Sequence, residues 1–282
     1  MGDSGPASEL LAAAPDANER FHLLHAFADW AGDAPFLHDW AGRTADPLAH
    51  TALLIHGSKL AWDLGPWTHG KSDLLALRDE LVRLKDAFLT LGKRDRNSAL
   101  MMPHLMWVLR GLGDAGAARK VFREGFQRQP ELRALYTGGM TTESPQWYGA
   151  NANATAEFVD KWSGRAPSGI GVETMVLMSV WYQSLDGPES PHEAAIWQDI
   201  WTRSRVQQAI TSAESAGFTG HNGARTRHYV AYALYWMGEH DRAAVHLREL
   251  GPHGAEAPWG RLRFGLSAFF SVYKTARKTC RV

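Results

Sequence analysis

Thirteen histidines, thirty carboxylates and one cysteine carry most of the side-chain chemistry open to this sequence of 282 residues. Imidazole binds metals and moves protons near neutral pH, so the spacing of the histidines is the first thing to weigh. His22 and His25 are three apart and can share one helix face, as ligand pairs do, but no carboxylate completes a metal-binding motif beside them. His240 and His246 are six apart, do not meet on one helix turn, and are expected at the surface. The turn from Trp62 to Gly70 holds Asp63, Trp67 and His69, which places an acid, an imidazole and two indoles within nine residues. Trp147 and Tyr148 lie in a second stretch rich in Gly and Pro, where aromatic side chains can line a groove. Arg225 and His228 project near Tyr229 at the start of a helix, a place where cations can hold a carboxylate or phosphate. Each feature also has a plain structural reading, because indoles pin helices together, histidines sit half-buried without binding anything, and charge usually faces water.

Two classes of function follow. In the first, the protein binds a peptide, a partner protein or a small molecule in a concave, aromatic-lined groove, with Trp62, Trp67, Trp147, Tyr148, Arg225 and Tyr229 as the ligand-facing residues. In the second, it is an enzyme or accessory protein of specialised metabolism with an acid/base or metal-assisted pocket. There Asp63 or Glu173 acts as base and His69 or His228 as acid. The sequence has no Gly-x-Ser-x-Gly elbow or His-Glu-x-x-His zinc helix, and Gly169-Ile170-Gly171 lacks the context of a dinucleotide fingerprint. Binding is therefore the favoured class, with no cofactor and no resident metal expected.

Thirty basic residues balance thirty acidic ones and are spread along the chain, a poor footprint for nucleic acid or an anionic membrane. Neither partner is expected, and homodimer formation is left open. Cys280 alone can form no intrachain disulfide, which fits a reducing, cytoplasmic setting. The Leu10 to Ala14 apolar run is too brief for a signal peptide or a membrane span.

The elements that must position these residues read as helices almost throughout. Apolar residues recur at helical spacing over Glu19 to Trp30, Pro35 to Gly42 and Pro47 to Asp63. The clearest helix spans Lys71 to Leu91, where Leu74, Leu77, Leu81, Leu84 and Phe88 recur at threes and fours, with Ser72 as its expected cap. Gly113-Asp114 and Gly238-Glu239 each separate two such runs, and each glycine is followed five residues later by an alanine, Ala118 and Ala243. The expected organisation is a ragged leader over 1–18 and one helical-repeat domain over 19–282, interrupted by an irregular loop at 138–153 and a turn at 187–191.

These corners resemble the tetratricopeptide-repeat family, in which a glycine turn precedes a small alanine, an aromatic and a closing proline. Gly113, Ala118, Phe122 and Pro130 follow that series, with Leu105 at the usual leucine of the first helix. Gly238, Ala243 and Ala231 carry a shorter match, whereas Met106 stands at a small position, Leu247 replaces the aromatic and Ala255 the proline. The resemblance covers Leu100 to Pro130 and Ala224 to Leu250 and implies an all-α fold of stacked antiparallel hairpins, a tetratricopeptide-like α-solenoid of about ten to twelve helices.

Overall fold

A computed structural model describes residues 5–29, 34–44, 46–65, 73–94, 99–144, 147–151, 153–167, 171–184, 195–218, 220–252, 256–259 and 265–282. The protein is all-α: fifteen helices and no strand occur among the described residues. None of these helices is long and apolar enough to cross a membrane. The chain divides into two compact units, Met1–Thr142 and Glu143–Val282.

The first unit contains α1 (Gly5–Ala13), α2 (Ala17–Ala28), α3 (Pro35–Arg43), α4 (Pro47–Trp62), α5 (Leu74–Arg94), α6 (Met102–Gly111), α7 (Ala115–Arg128) and α8 (Arg133–Thr142). Helix α1 falls in the expected leader and buries Leu11 completely. Aspartates start several of these helices by accepting an orphan backbone N–H: Asp16 from Glu19, Asp46 from Leu48 and Asp114 from Ala117. Asp73 does the same for α5 through Ala76 N, while Ser72 lies outside the described residues. Helix α5 buries Leu77, Leu81, Leu84, Phe88 and Leu91, but Leu74 is exposed. Helix α4 packs on α2 and α5, and α6 packs on α5, α7 and α8.

The expected loop begins later than its glycines suggest, because Gly138 and Gly139 lie inside α8. A Cβ on Gly138 would sit 2.2 Å from the buried Met106 Cε, so a side chain there would force the end of Met106 to shift. Met106 thus fills the space that a small residue on α6 would leave, and the glycine across the interface supplies the clearance.

The second unit contains α9 (Ala154–Ser163), α10 (Val172–Ser184), α11 (Ile200–Ala216), α12 (Gly220–Trp236), α13 (His240–Leu250), α14 (Glu256–Trp259) and α15 (Gly265–Thr279). Its core is aromatic: Trp181, Trp197, Tyr229, Tyr232 and Trp259 are all buried. Hydroxyls of Thr174 and Thr226 meet at 2.6 Å between α10 and α12. A charged network joins α11 to the corner and helix that follow α12, through Arg203, Gln207, Glu214, Glu239 and Arg242.

Both glycine corners form as the sequence predicts. Gly113 has φ 82° and Gly238 φ 79°, the left-handed region that L side chains rarely adopt. At the first, Gly113 N–H bonds to Arg110 O and Asp114 N–H to Leu109 O; at the second, Gly238 N–H bonds to Tyr235 O and Glu239 N–H to Leu234 O. This paired pattern closes a helix C-terminus in a Schellman motif and releases the chain into the next helix. Ala118 and Ala243 are fully buried just beyond the corners.

Candidate functional site

In the first unit, α2, α4 and α6 bring together a partly exposed set of aromatic, imidazole and cationic side chains. His25 on α2 and His104 on α6 meet Nε2 to Nε2 at 2.8 Å, with ring centroids 4.6 Å apart. A neutral imidazole carries one N–H, so the bond requires opposite tautomers: one ring donates from Nε2 while the other holds its proton on Nδ1. Phe21, one turn before His25, lies 4.7 Å from the His25 ring and stacks 5.8 Å from His104. Helix α4 adds Trp62, whose ring is 4.8 Å from Trp107 of α6, and Lys59, which pairs with Asp29 at the end of α2. His56 fastens α4 to the end of α2 by donating from Nδ1 to Ala28 O at 3.0 Å.

Helical spacing explains the assembly. Phe21 and His25 lie four apart on α2, Lys59 and Trp62 three apart on α4, and His104 and Trp107 three apart on α6, so each helix presents two neighbouring side chains on one face. All six are neither fully buried nor fully exposed. Burial holds the His104 imidazole well below the usual histidine range, reinforced by the nearby His25, Lys59 and Arg110. Burial also lowers the Lys59 ammonium from its ordinary value. At neutral pH the imidazole of His104 is therefore an uncharged donor or acceptor beside a cation and two indoles.

The residues singled out from sequence are distributed as follows. Trp62 belongs to the set just described, and Asp63 is exposed at the end of α4. Trp67 and His69 lie outside the described residues. In the second unit Trp147 and Tyr148 are half-buried with rings 6.5 Å apart, in a turn tied to Ser144 O through the Trp147 and Gly149 amides. Arg225 is exposed on α12. Tyr229 is a core residue at 0% exposure, edge-on to Trp181. Glu173 accepts from Ser212 Oγ at 2.8 Å, whereas His228 accepts the Trp259 indole N–H on Nδ1 at 3.1 Å. Burial pulls the His228 imidazole down to about 4. Glu173 and His228 are thus engaged with different neighbours.

His246 departs from its expected surface position. It is buried at 6% exposure and bonds through Nε2 to Glu214 Oε1 at 3.2 Å, because α13 packs that face inward beside Phe218. His240 stacks on Tyr235. No group of three or more His, Cys, Asp or Glu side chains placed to hold a metal occurs among the described residues.

His104, Trp107, Lys59 and Phe21 were not among the candidates read from sequence. A signal existed in His104-x-x-Trp107 on the first helix of a glycine-marked hairpin, but its partner His25 is 79 residues away in the chain. Comparison with known protein families finds no match, and comparison with curated proteins finds none.

Proposed function

We propose that the chain is a tetratricopeptide-like helical-repeat binding protein whose recognition face lies in the first unit, on α2, α4 and α6. The observation that carries this reading is the partly exposed cluster of Phe21, His25, Lys59, Trp62, His104 and Trp107. Flat aromatic area gives affinity at low conformational cost, while an imidazole pair and a lysine orient polar groups. Such a face suits a peptide segment or a small planar ligand carrying hydrogen-bonding groups. The corners at Gly113 and Gly238 support the hairpin-repeat part of the reading, since both end a helix in the same way.

The test is native mass spectrometry of protein purified from its own host, beside a variant carrying Trp62→Ala and Trp107→Ala. A bound species present on the parent and lost from the variant is the expected result. A species retained equally by both, or a parent that carries nothing and binds nothing from host extract, contradicts the reading.

A second reading, an acid/base enzyme, draws on one observation, the 2.8 Å bond between His25 and His104. An imidazole held neutral can accept a proton from a bound substrate and pass it to its partner ring. That reading expects turnover to fall steeply in His104→Phe while ligand binding persists.

A further inference from the structure

Helix α5 buries one face in the first unit and leaves a regular apolar stripe on the other. Leu75 is 76% exposed, Val82 38% and Leu89 45%, at a strict spacing of seven residues. An α-helix drifts by only about 20° per heptad, so these three side chains form one narrow line along the helix. Between them the sequence repeats a basic residue followed by an acidic one: Arg78-Asp79 and then Lys85-Asp86. Successive helical residues are turned by about 100°, which puts Asp79 and Asp86 on one side of the stripe and Arg78 and Lys85 on the other. Arg78, Asp79 and Asp86 are exposed and Lys85 is partly so, its ammonium only 3.7 Å from Asp86 in a loose pair that can be exchanged. Arg83 pairs with Glu80 away from the stripe.

We propose that this stripe is a self-association surface on which α5 pairs in parallel with α5 of a second copy of the chain. A two-fold axis parallel to the helices sets Leu75, Val82 and Leu89 against the same residues of the copy. It also turns the acidic side of each helix toward the basic side of the other, so that Asp79 and Asp86 face Arg78 and Lys85 across the seam. The antiparallel alternative sets acid beside acid and base beside base, so the charge order selects the parallel pairing. Three apolar layers bury less surface than a permanent dimer needs, and the association is therefore weak and concentration-dependent. The stripe does not share residues with the recognition face on α2, α4 and α6, so this inference stands whether or not that face binds a ligand.

Sedimentation equilibrium of the full chain over a concentration series tests it. The expected mass is that of one chain, 31.2 kDa, at low concentration and rises toward twice that value. Val82→Glu places a charge at the centre of the seam and weakens association about tenfold or more, with the helical circular dichroism unchanged because the position is exposed. Register is read separately in a Cys280→Ser background, where Leu75→Cys forms a disulfide-linked dimer under mild oxidation, since only the parallel pairing sets position 75 against itself. A mass fixed at one chain at every concentration overturns the proposal. Association unaffected by Val82→Glu overturns the surface, and an associating chain whose Leu75→Cys form does not cross-link overturns the parallel geometry.

Discussion

The hairpins α6–α7 and α12–α13 turn the same corner and then put equivalent positions to opposite uses. His104 and Trp107 stand nine and six residues before Gly113, and Tyr229 and Tyr232 stand nine and six before Gly238. In the first hairpin both positions remain partly open to water beside Phe21, His25 and Trp62. In the second, Tyr229 and Tyr232 are 0% and 2% exposed, closed over by Trp181, Trp197 and Trp259. The corner is set by backbone conformation, whereas the use of the preceding helix face is set by what packs over it. Aromatic content alone therefore does not locate a recognition face; an aromatic ring at the same offset is core in one unit and partly open to water in the other.

That contrast makes graded predictions. Tyr229→Ala should destabilise the second unit by about 3–5 kcal/mol, since it empties a sealed aromatic site, while Trp107→Ala should cost only about 1 kcal/mol because its ring is already partly hydrated. Denaturant unfolding of the two variants reads the difference, and equal losses would erase the distinction.

Acid should act on the sealed hairpin through His228. Its folded pKa of about 4 lies below the ordinary histidine value of 6.5, so the unfolded chain binds the proton first. Its stabilising contribution is complete above about pH 6.5 and declines as pH falls toward 4, by roughly 2 kcal/mol after allowance for partial solvation. His104 is displaced in the same direction and adds to the loss in the first unit. Unfolding followed against pH should show this slope, and His228→Leu should flatten part of it.

The smallest effect belongs to what the hairpins share. Gly113→Ala and Gly238→Ala should each cost about 1 kcal/mol through the positive φ, with no steric term at Gly238, where an added Cβ meets nothing within 4 Å. Thermal melts should show similar shifts for both, and a large disparity would mean the corners are not equivalent.

The legible parts of the fold were those written in local patterns. Period-3.6 apolar runs and the Gly-Asp and Gly-Glu corners predicted helices and turns because each depends on neighbours within one or two helical turns. Helix α8 is hidden because Gly138-Gly139 has the local look of a break, while the packing of Met106 against Gly138 is a contact between helices that the local sequence does not show. The candidate site was half legible for the same reason. Trp62 and His25 stood out in their own segments, but the pairing of His25 with His104 joins separate helices and leaves no mark in either segment. Tyr229 reads from sequence as eligible for a groove, since its burial against Trp181 is a tertiary event.

The most direct measurement of the recognition face is ¹⁹F NMR of protein labelled with 5-fluorotryptophan, assigned by single Trp→Phe variants and titrated with extract of its native host. The account predicts that the Trp62 and Trp107 resonances shift or broaden while those of Trp197 and Trp259 stay fixed. Movement confined to the indoles of the second unit, with Trp62 and Trp107 unchanged, would contradict it.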